Sequence, residues 1–199
     1  GQEVNLTTSA IAKMNLYLHG LEDFDIKRGD TFREPKFVTG NQLSKFDVVI
    51  ANPPFSLQNW GAAGWSNDPY GRVLCAVPPA KNGDYAWIQH MVASMKDDTG
   101  RVGVVMPHGV LFRGGKEGEI RQCLLEKDLL EAVVGLPNNL FYSTSIPVCL
   151  LIWRKTKPVE RRGKVLFIDA SKRFKPGKNQ NTMSDGDIDA IHAAYVTGE

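Results

Sequence analysis

Cysteine is scarce in this 199-residue chain: Cys75, Cys123 and Cys149 are odd in number and far apart, with no C-x-x-C pair among them. That pattern argues against a zinc site or a disulfide framework and for reduced thiols in a cytoplasm, so no metal is expected. Cys123 and Cys149 lie in apolar surroundings and read as plain core residues. No apolar run approaches the roughly 20 residues that cross a bilayer, and no signal peptide opens the chain, so no membrane partner is expected. Repeats, low-complexity stretches and a clear interdomain linker are also lacking. Gly114, Gly115 and Gly118 form the tightest glycine cluster, but without G-x-G-x-x-G spacing, and they follow an expected strand over Val102–Met106. They read as a turn before a helix.

The net charge of +2 conceals an asymmetry. Ten basic residues lie between Arg154 and Lys178 against Glu160 and Asp169, a local balance of +8, which leaves 2 − 8 = −6 for the rest. Such a stretch suits phosphate contacts, a partner subunit, or a plain solvated loop and strand edge. Apolar content is sufficient for one globular core.

Apolar patterning alternates between short runs and helical periods. Ile11, Met14 and Leu18 share one face of a helix capped at Thr7 or Thr8 and ended by Gly20. A short strand is expected over Phe24–Ile26. Asp84 is expected to cap a helix with Tyr85, Ile88, Val92 and Met95 on one face. Val102–Met106, Leu130–Gly135, Ile146–Trp153 and Val165–Ile168 read as strands, residues 117–127 as a helix, and Ile188, Ile191, His192 and Tyr195 as a terminal amphipathic helix. Residues 56–83 carry no period and predict a long loop, the kind that is functional or disordered. The alternation implies an α/β architecture with a largely parallel sheet.

Within it, Val48–Ala51 is a continuous β-branched run, as in a strand buried on both faces. Pro53 and Pro54 stop it abruptly, which places Asn52 at the carboxyl end of a strand, where open α/β sheets put their ligands. Asn52-Pro53-Pro54-Phe55 suits methylation of an exocyclic amino group. Such a nitrogen is a poor nucleophile because its lone pair is delocalised into the ring. The Asn52 carboxamide oxygen and the Pro53 carbonyl can each accept one of its N–H bonds, which favours a pyramidal nitrogen and offsets the developing charge. Phe55 offers a ring face to a base. The bland alternative is a strand, a Pro-Pro turn and a helix-capping Asn.

Over nearly all of its length the chain resembles the modification subunits of type I restriction–modification systems, which are N6-adenine DNA methyltransferases. The resemblance is carried by Gly1-Gln2-Glu3, Met14-Asn15-Leu16, Leu18-His19-Gly20, Gly29-Asp30-Thr31 and Asn52-Pro53-Pro54-Phe55-Ser56. It continues in Phe112-Arg113-Gly114-Gly115, Gly135-Leu136-Pro137, Asn139-Leu140-Phe141-Tyr142 and residues 164–171. It implies a Rossmann-like S-adenosylmethionine-dependent methyltransferase sheet with helices on both faces, ending in an antiparallel hairpin near Leu130–Gly135 and Ile146–Trp153. The family's glycine-rich cofactor loop lies just upstream of its Gly-Gln-Glu, so the resemblance implies a carboxyl-terminal portion lacking the first strand, that loop and the helical region before it. A strand edge left open in this way invites a homodimer. Residues 1–170 are expected to form the partial catalytic domain and 171–199 a tail.

Carried over residue by residue, the resemblance implies that Glu3 accepts the ribose hydroxyls of S-adenosylmethionine and that Asp30 meets its adenine amino group. Asn52 with Pro53 receives the target nitrogen, Asn52 also bordering the cofactor, and Phe55 and Phe141 stack on an adenine flipped out of duplex DNA. Tyr142 is the nearest substitute for Phe141. A specificity subunit and a restriction subunit are the implied partners. His90 and His108 read as structural, because water can take the proton after transfer. Without the cofactor loop the piece alone is expected to be inactive. The other readings are a non-catalytic assembly or DNA-binding fragment, and a protein glutamine methyltransferase, which uses a similar Asn-Pro-Pro-Tyr.

Overall fold

A computed structural model describes residues 1–142 and 144–198; Ser143, inside the expected 136–145 connection, and Glu199 lie outside the described residues. In chain order the elements are β1 (Gln2–Glu3), α1 (Leu6–Leu18), β2 (Lys27–Arg28), β3 (Val38–Thr39), β4 (Gln42–Leu43), β5 (Val48–Ala51), α2 (Ala62–Trp65), α3 (Asp84–Ser94) and β6 (Arg101–Pro107). Then come α4 (Gly109–Phe112), α5 (Gly115–Glu126), β7 (Leu130–Gly135), β8 (Val148–Arg154), β9 (Leu166–Asp169) and α6 (Asp185–Thr197).

The main sheet runs β5–β6–β8–β7–β9. β5 is parallel to β6 and β7 to β9, whereas β8 is antiparallel to both its neighbours. The sheet is therefore mixed rather than largely parallel. The link from β7 to β8 holds no crossover helix, so β8 returns antiparallel to β7 and enters the sheet between β7 and β6. The expected β7–β8 hairpin is present, and Leu130–Gly135 has the expected limits.

Alternation fixes the core. Val102, Val104 and Met106 of β6 are buried with Ile88 and Val92 of α3 and Ile120 and Leu124 of α5. The opposite face is open: Val48, Ile50, Gly103, Val105, Leu150 and Ile152 line a groove that Tyr195 of α6 borders. β5 is thus not buried on both faces as its continuous run suggested. Val48 and Ile50 are 64% and 77% exposed, because they point away from α3 and β5 pairs on one side only.

β1 and β2 form a separate parallel pair, Gln2 opposite Lys27 and Glu3 opposite Arg28. The second strand lies just beyond the expected Phe24–Ile26. The cap of α1 is Asn5, whose side chain accepts from the Thr8 N–H at 3.0 Å, so Thr7 and Thr8 lie inside the helix. Ile11, Met14 and Leu18 do share a face of that helix, and it is exposed.

The long segment 56–83 is packed. Trp60 and Trp65 are buried with Phe32 and Ala86. Arg72, also buried, bonds Asp68 through Nε at 2.8 Å and donates to the carbonyls of Thr31 and Phe32, both at 3.0 Å. The same segment overturns the reading of the cysteines: Cys75 and Cys123 form a disulfide, their Cα atoms 6.0 Å apart. The two are 48 residues apart and meet only because the segment folds back onto α5, which spacing could not reveal. Cys149 is free and buried, as expected, and burial pushes its thiol up to about 12.

Candidate active site

β5 ends at Ala51, so Asn52 leaves the sheet where the chain must turn, and the two prolines prevent further strand pairing. Asn52 lies beside a cavity of about 480 Å³, within the range of small-molecule sites. The first three residues of the chain, Val48–Pro54, and Trp87, His90 and Met91 of α3 all line it. Two expected site residues far apart in sequence, Glu3 and Asn52, therefore share one cavity, together with Pro53.

Glu3 is half-buried, and its Oε1 accepts from the Asn5 N–H at 2.7 Å. Asp30 is not brought to the cavity, although its neighbour Thr31 is. The Asp30 carboxylate folds into its own turn, accepting from the Phe32 N–H at 2.9 Å and the Arg33 N–H at 3.1 Å and pairing with the Arg33 guanidinium at 2.5 Å.

His90 and Trp87 stand one helical turn apart on the cavity wall. Among the described residues, His90 Nδ1 and Trp87 Nε1 are buried without a hydrogen-bond partner. Burial, helped by the positive Arg72 nearby, lowers the His90 imidazole to about 4, so it is neutral near pH 7. His108 is engaged structurally, its Nε2 lying 3.0 Å from the Val148 carbonyl oxygen.

Phe55 is half-buried and does not line the cavity. Beyond it, Ser56 adopts φ 51° and its N–H donates to Asp84 at 2.6 Å. Asp84 is fully buried and lies one residue inside α3, whose cap is Gly83; its carboxylate goes to Ser56 and to Arg113 rather than to the helix end. The sequence reading missed this link. Its signal was an ionisable residue on an otherwise apolar helix and an arginine in the Phe112–Gly115 motif.

Phe141 sits on a separate loop, half-buried, with Tyr142 beside it 88% exposed. That loop is tied to the tail: Asn181 donates to the carbonyls of Asn139 (N–H, 2.8 Å) and Asn138 (Nδ2, 3.0 Å), and Gln180 donates to that of Leu140. The basic segment divides in two. Arg154 and Arg161 pair with the buried Glu131, Lys155 with Asp97 and Lys157 with Asp128. Lys172, Arg173, Lys175 and Lys178 are exposed, close in sequence to the residues that clasp the Phe141 loop.

The sequence matches the N-6 DNA Methylase family over residues 1–199. It is 38% identical over 210 residues to the type I restriction enzyme MjaVII methylase subunit of Methanocaldococcus jannaschii, a match covering all of this chain and 35% of that protein. The crystal structure of a type I restriction–modification system methyltransferase subunit from Streptococcus thermophilus superposes with a TM-score of 0.91 at 40% identity, over the whole of this chain and 42% of that one. A putative class I S-adenosylmethionine-dependent methyltransferase from Listeria monocytogenes shares the fold, with a TM-score of 0.66 at 16% identity over all of this chain and 54% of that one. The chain spans roughly a third of the length of the curated relative it matches.

Proposed function

The chain belongs to the N-6 DNA methylase family across its whole length, and from that premise we propose that it forms part of the catalytic unit of an adenine-specific DNA methyltransferase, the modification subunit of a type I restriction–modification complex. The observation that carries this reading is the meeting of Glu3 and Asn52 on one cavity at the end of β5. The methyl donor is S-adenosylmethionine, which supplies an electrophilic methyl group. The residues present suit it: a diol and an amino group need acceptors, which Glu3 and Asn52 offer, and two buried polar atoms on α3 beside the cavity have no protein partner among the described residues. Asp30, bound up in its own turn, would need to release Arg33 to take part.

Asn52 and the Pro53 carbonyl accept the N–H bonds of the target nitrogen, holding it pyramidal and aimed. Phe55, and Phe141 from the opposite loop, stack on an adenine extruded from duplex DNA, since the reactive nitrogen is otherwise paired inside the helix. Lys172, Arg173, Lys175 and Lys178, beside the Phe141 loop, suit contacts with the flanking phosphates. Target choice falls to a specificity subunit, cleavage to a restriction subunit, and the compartment is the cytoplasm; among the described residues no helix is long and apolar enough to cross a membrane. The open edge of β5 suits a second copy of the chain. Residues 1–170 are taken as the catalytic part and 171–199 as a tail clasping the Phe141 loop.

The test is Asn52→Ala in the full-length protein with its specificity subunit. Transfer of labelled methyl groups to adenine in duplex DNA should fall by about 100-fold or more, with cofactor binding unchanged within a few-fold. Near-normal transfer by the variant would overturn the role given to Asn52.

A further inference from the structure

The Phe112-Arg113-Gly114-Gly115 motif and the buried Asp84 have no part in the chemistry above. The Asn52–Phe55 loop, meanwhile, poses a mechanical problem. Pro53 and Pro54 have no N–H, so neither can donate a bond that anchors the backbone there. The residues meant to hold a target nitrogen to a fraction of an ångström need an anchor beyond them. That anchor is Ser56, whose left-handed φ of 51° is held by the 2.6 Å bond to Asp84. The next residue is fixed as well, its Leu57 carbonyl accepting from the Gly83 N–H at 2.9 Å.

A fully buried carboxylate requires a partner, and Asp84 has one in Arg113, 2.8 Å away. Arg113 also reaches Glu117 at 3.3 Å and lies 3.5 Å from the Ser56 hydroxyl. Its own backbone is fixed: the Arg113 carbonyl accepts from Arg121 at 2.9 Å, while the Tyr85 hydroxyl donates to the Val110 carbonyl at 2.7 Å. Gly109 completes the arrangement, because a Cβ there would overlap the Arg113 guanidinium. Gly115, at φ 60°, turns the chain directly into α5. The glycines and the arginine of this region thus place one cation against Asp84.

We propose that Asp84, with Arg113 as its counter-ion, is a positioning residue that sets the geometry of the Asn52–Phe55 loop for methyl transfer. The inference rests on the methyl-transfer reading of Asn52. It explains why a motif some 60 residues downstream accompanies Asn-Pro-Pro-Phe: one supplies the reacting groups and the other fixes the far end of their loop.

The experiment uses the full-length protein with its specificity subunit and compares Asp84→Ala, Asp84→Asn, Arg113→Ala and the Asp84→Asn/Arg113→Ala double variant. Asp84→Ala should lower kcat by about 100-fold, the scale of a 1 Å misplacement, with the KM for cofactor changed less than about threefold. Asp84→Asn keeps an acceptor for the Ser56 N–H and should restore most of the rate. Arg113→Ala should be severe alone and much milder in the Asp84→Asn background, where no buried charge remains to be balanced. Hydrogen exchange at the Ser56 amide gives a readout independent of chemistry: protected in wild type and Asp84→Asn, fast in Asp84→Ala. Wild-type kcat in a folded Asp84→Ala variant, a loss confined to cofactor KM, or unchanged Ser56 exchange would overturn the positioning role. A wild-type protein that transfers no methyl group to adenine would instead overturn the functional reading, with Ser56 exchange still deciding whether Asp84 holds the loop.

Discussion

Removing Arg72 should be among the most damaging single changes outside the cavity. Its guanidinium donates to Asp68 at 2.8 and 2.6 Å and to the carbonyls of Thr31 and Phe32 at 3.0 Å each, while lying 4.7 Å from the Trp65 ring centre and 5.3 Å from that of Tyr70. Both ionic side chains are shut away from water, Arg72 at 3% and Asp68 at 1% exposure. Arg72→Ala leaves the Asp68 carboxylate buried with only the residue-72 backbone N–H for company, a bond of 2.7 Å. Breaking a buried pair from one side costs about 3–5 kcal/mol, and a desolvated cation over aromatic faces adds up to about 2. We expect a loss of about 4 kcal/mol, which for a chain of this size lowers Tm by about 10 °C. Arg72→Lys keeps the charge but cannot fork among three partners, and should fall between. Asp68→Asn placed on top of Arg72→Ala removes the stranded charge and should recover about 1–2 kcal/mol. Urea unfolding followed by tryptophan fluorescence, with Trp65 under the guanidinium, measures all four proteins. A loss below about 1 kcal/mol for Arg72→Ala at unchanged m would refute the view that this pair locks the 56–83 segment to the Thr31–Phe32 turn.

Two other outcomes follow from charge and covalent geometry. His90 is held neutral, its imidazole lowered from 6.5 to about 4 by burial. The unfolded chain therefore binds the extra proton first, and stability falls as pH drops from about 6.5 to 4, by up to about 3 kcal/mol. His90→Gln should flatten that part of the pH–stability curve, and an unchanged slope would show the histidine to be solvated. Cutting the Cys75–Cys123 link by reduction, or by Cys75→Ser, frees a loop of about 48 residues in the unfolded chain and should cost up to about 4 kcal/mol. Proteolysis within 56–83 should quicken in step, and equal stability with and without reductant would show that the thiols do not bridge in solution.

The elements that were legible in the sequence are those whose cause is local. Leu130–Gly135 has its observed limits because an apolar run is bounded by an acidic residue turn and a Gly-Leu-Pro corner. The face of α3 was readable from Tyr85, Ile88 and Val92, all buried. Asn52 at a strand end followed from two prolines. What was not legible depends on pieces far apart in the chain. Nothing near Val148 says that β8 will slip between β6 and β7, and nothing near Cys75 names Cys123. Burial of β5 was overestimated because a β-branched run reports what a strand tolerates, while actual exposure depends on neighbours. Glu131 gave a usable signal: a carboxylate inside a five-residue apolar stretch needs partners, and it has Arg161 at 3.1 Å and the Tyr195 hydroxyl at 2.9 Å. Charge counting overstated the basic segment because four of its cations serve such internal pairs.

The insertion of β8 between β6 and β7 sets a timetable for synthesis. β6 is complete once Pro107 has been added, yet one of its two edges stays open until Val148–Arg154 appears. At roughly 5–20 residues per second the ribosome needs several seconds to supply that strand. In the interval β6, with valines at 102, 104 and 105, and then β7 are both exposed on the nascent chain with the ladder between them unmade. Both edges belong to the half of the molecule that must form before α6 can close onto Glu131. Slowing translation between residues 107 and 148 should therefore lower the yield of native protein more than an equal pause after residue 154, where the central ladder is already in hand.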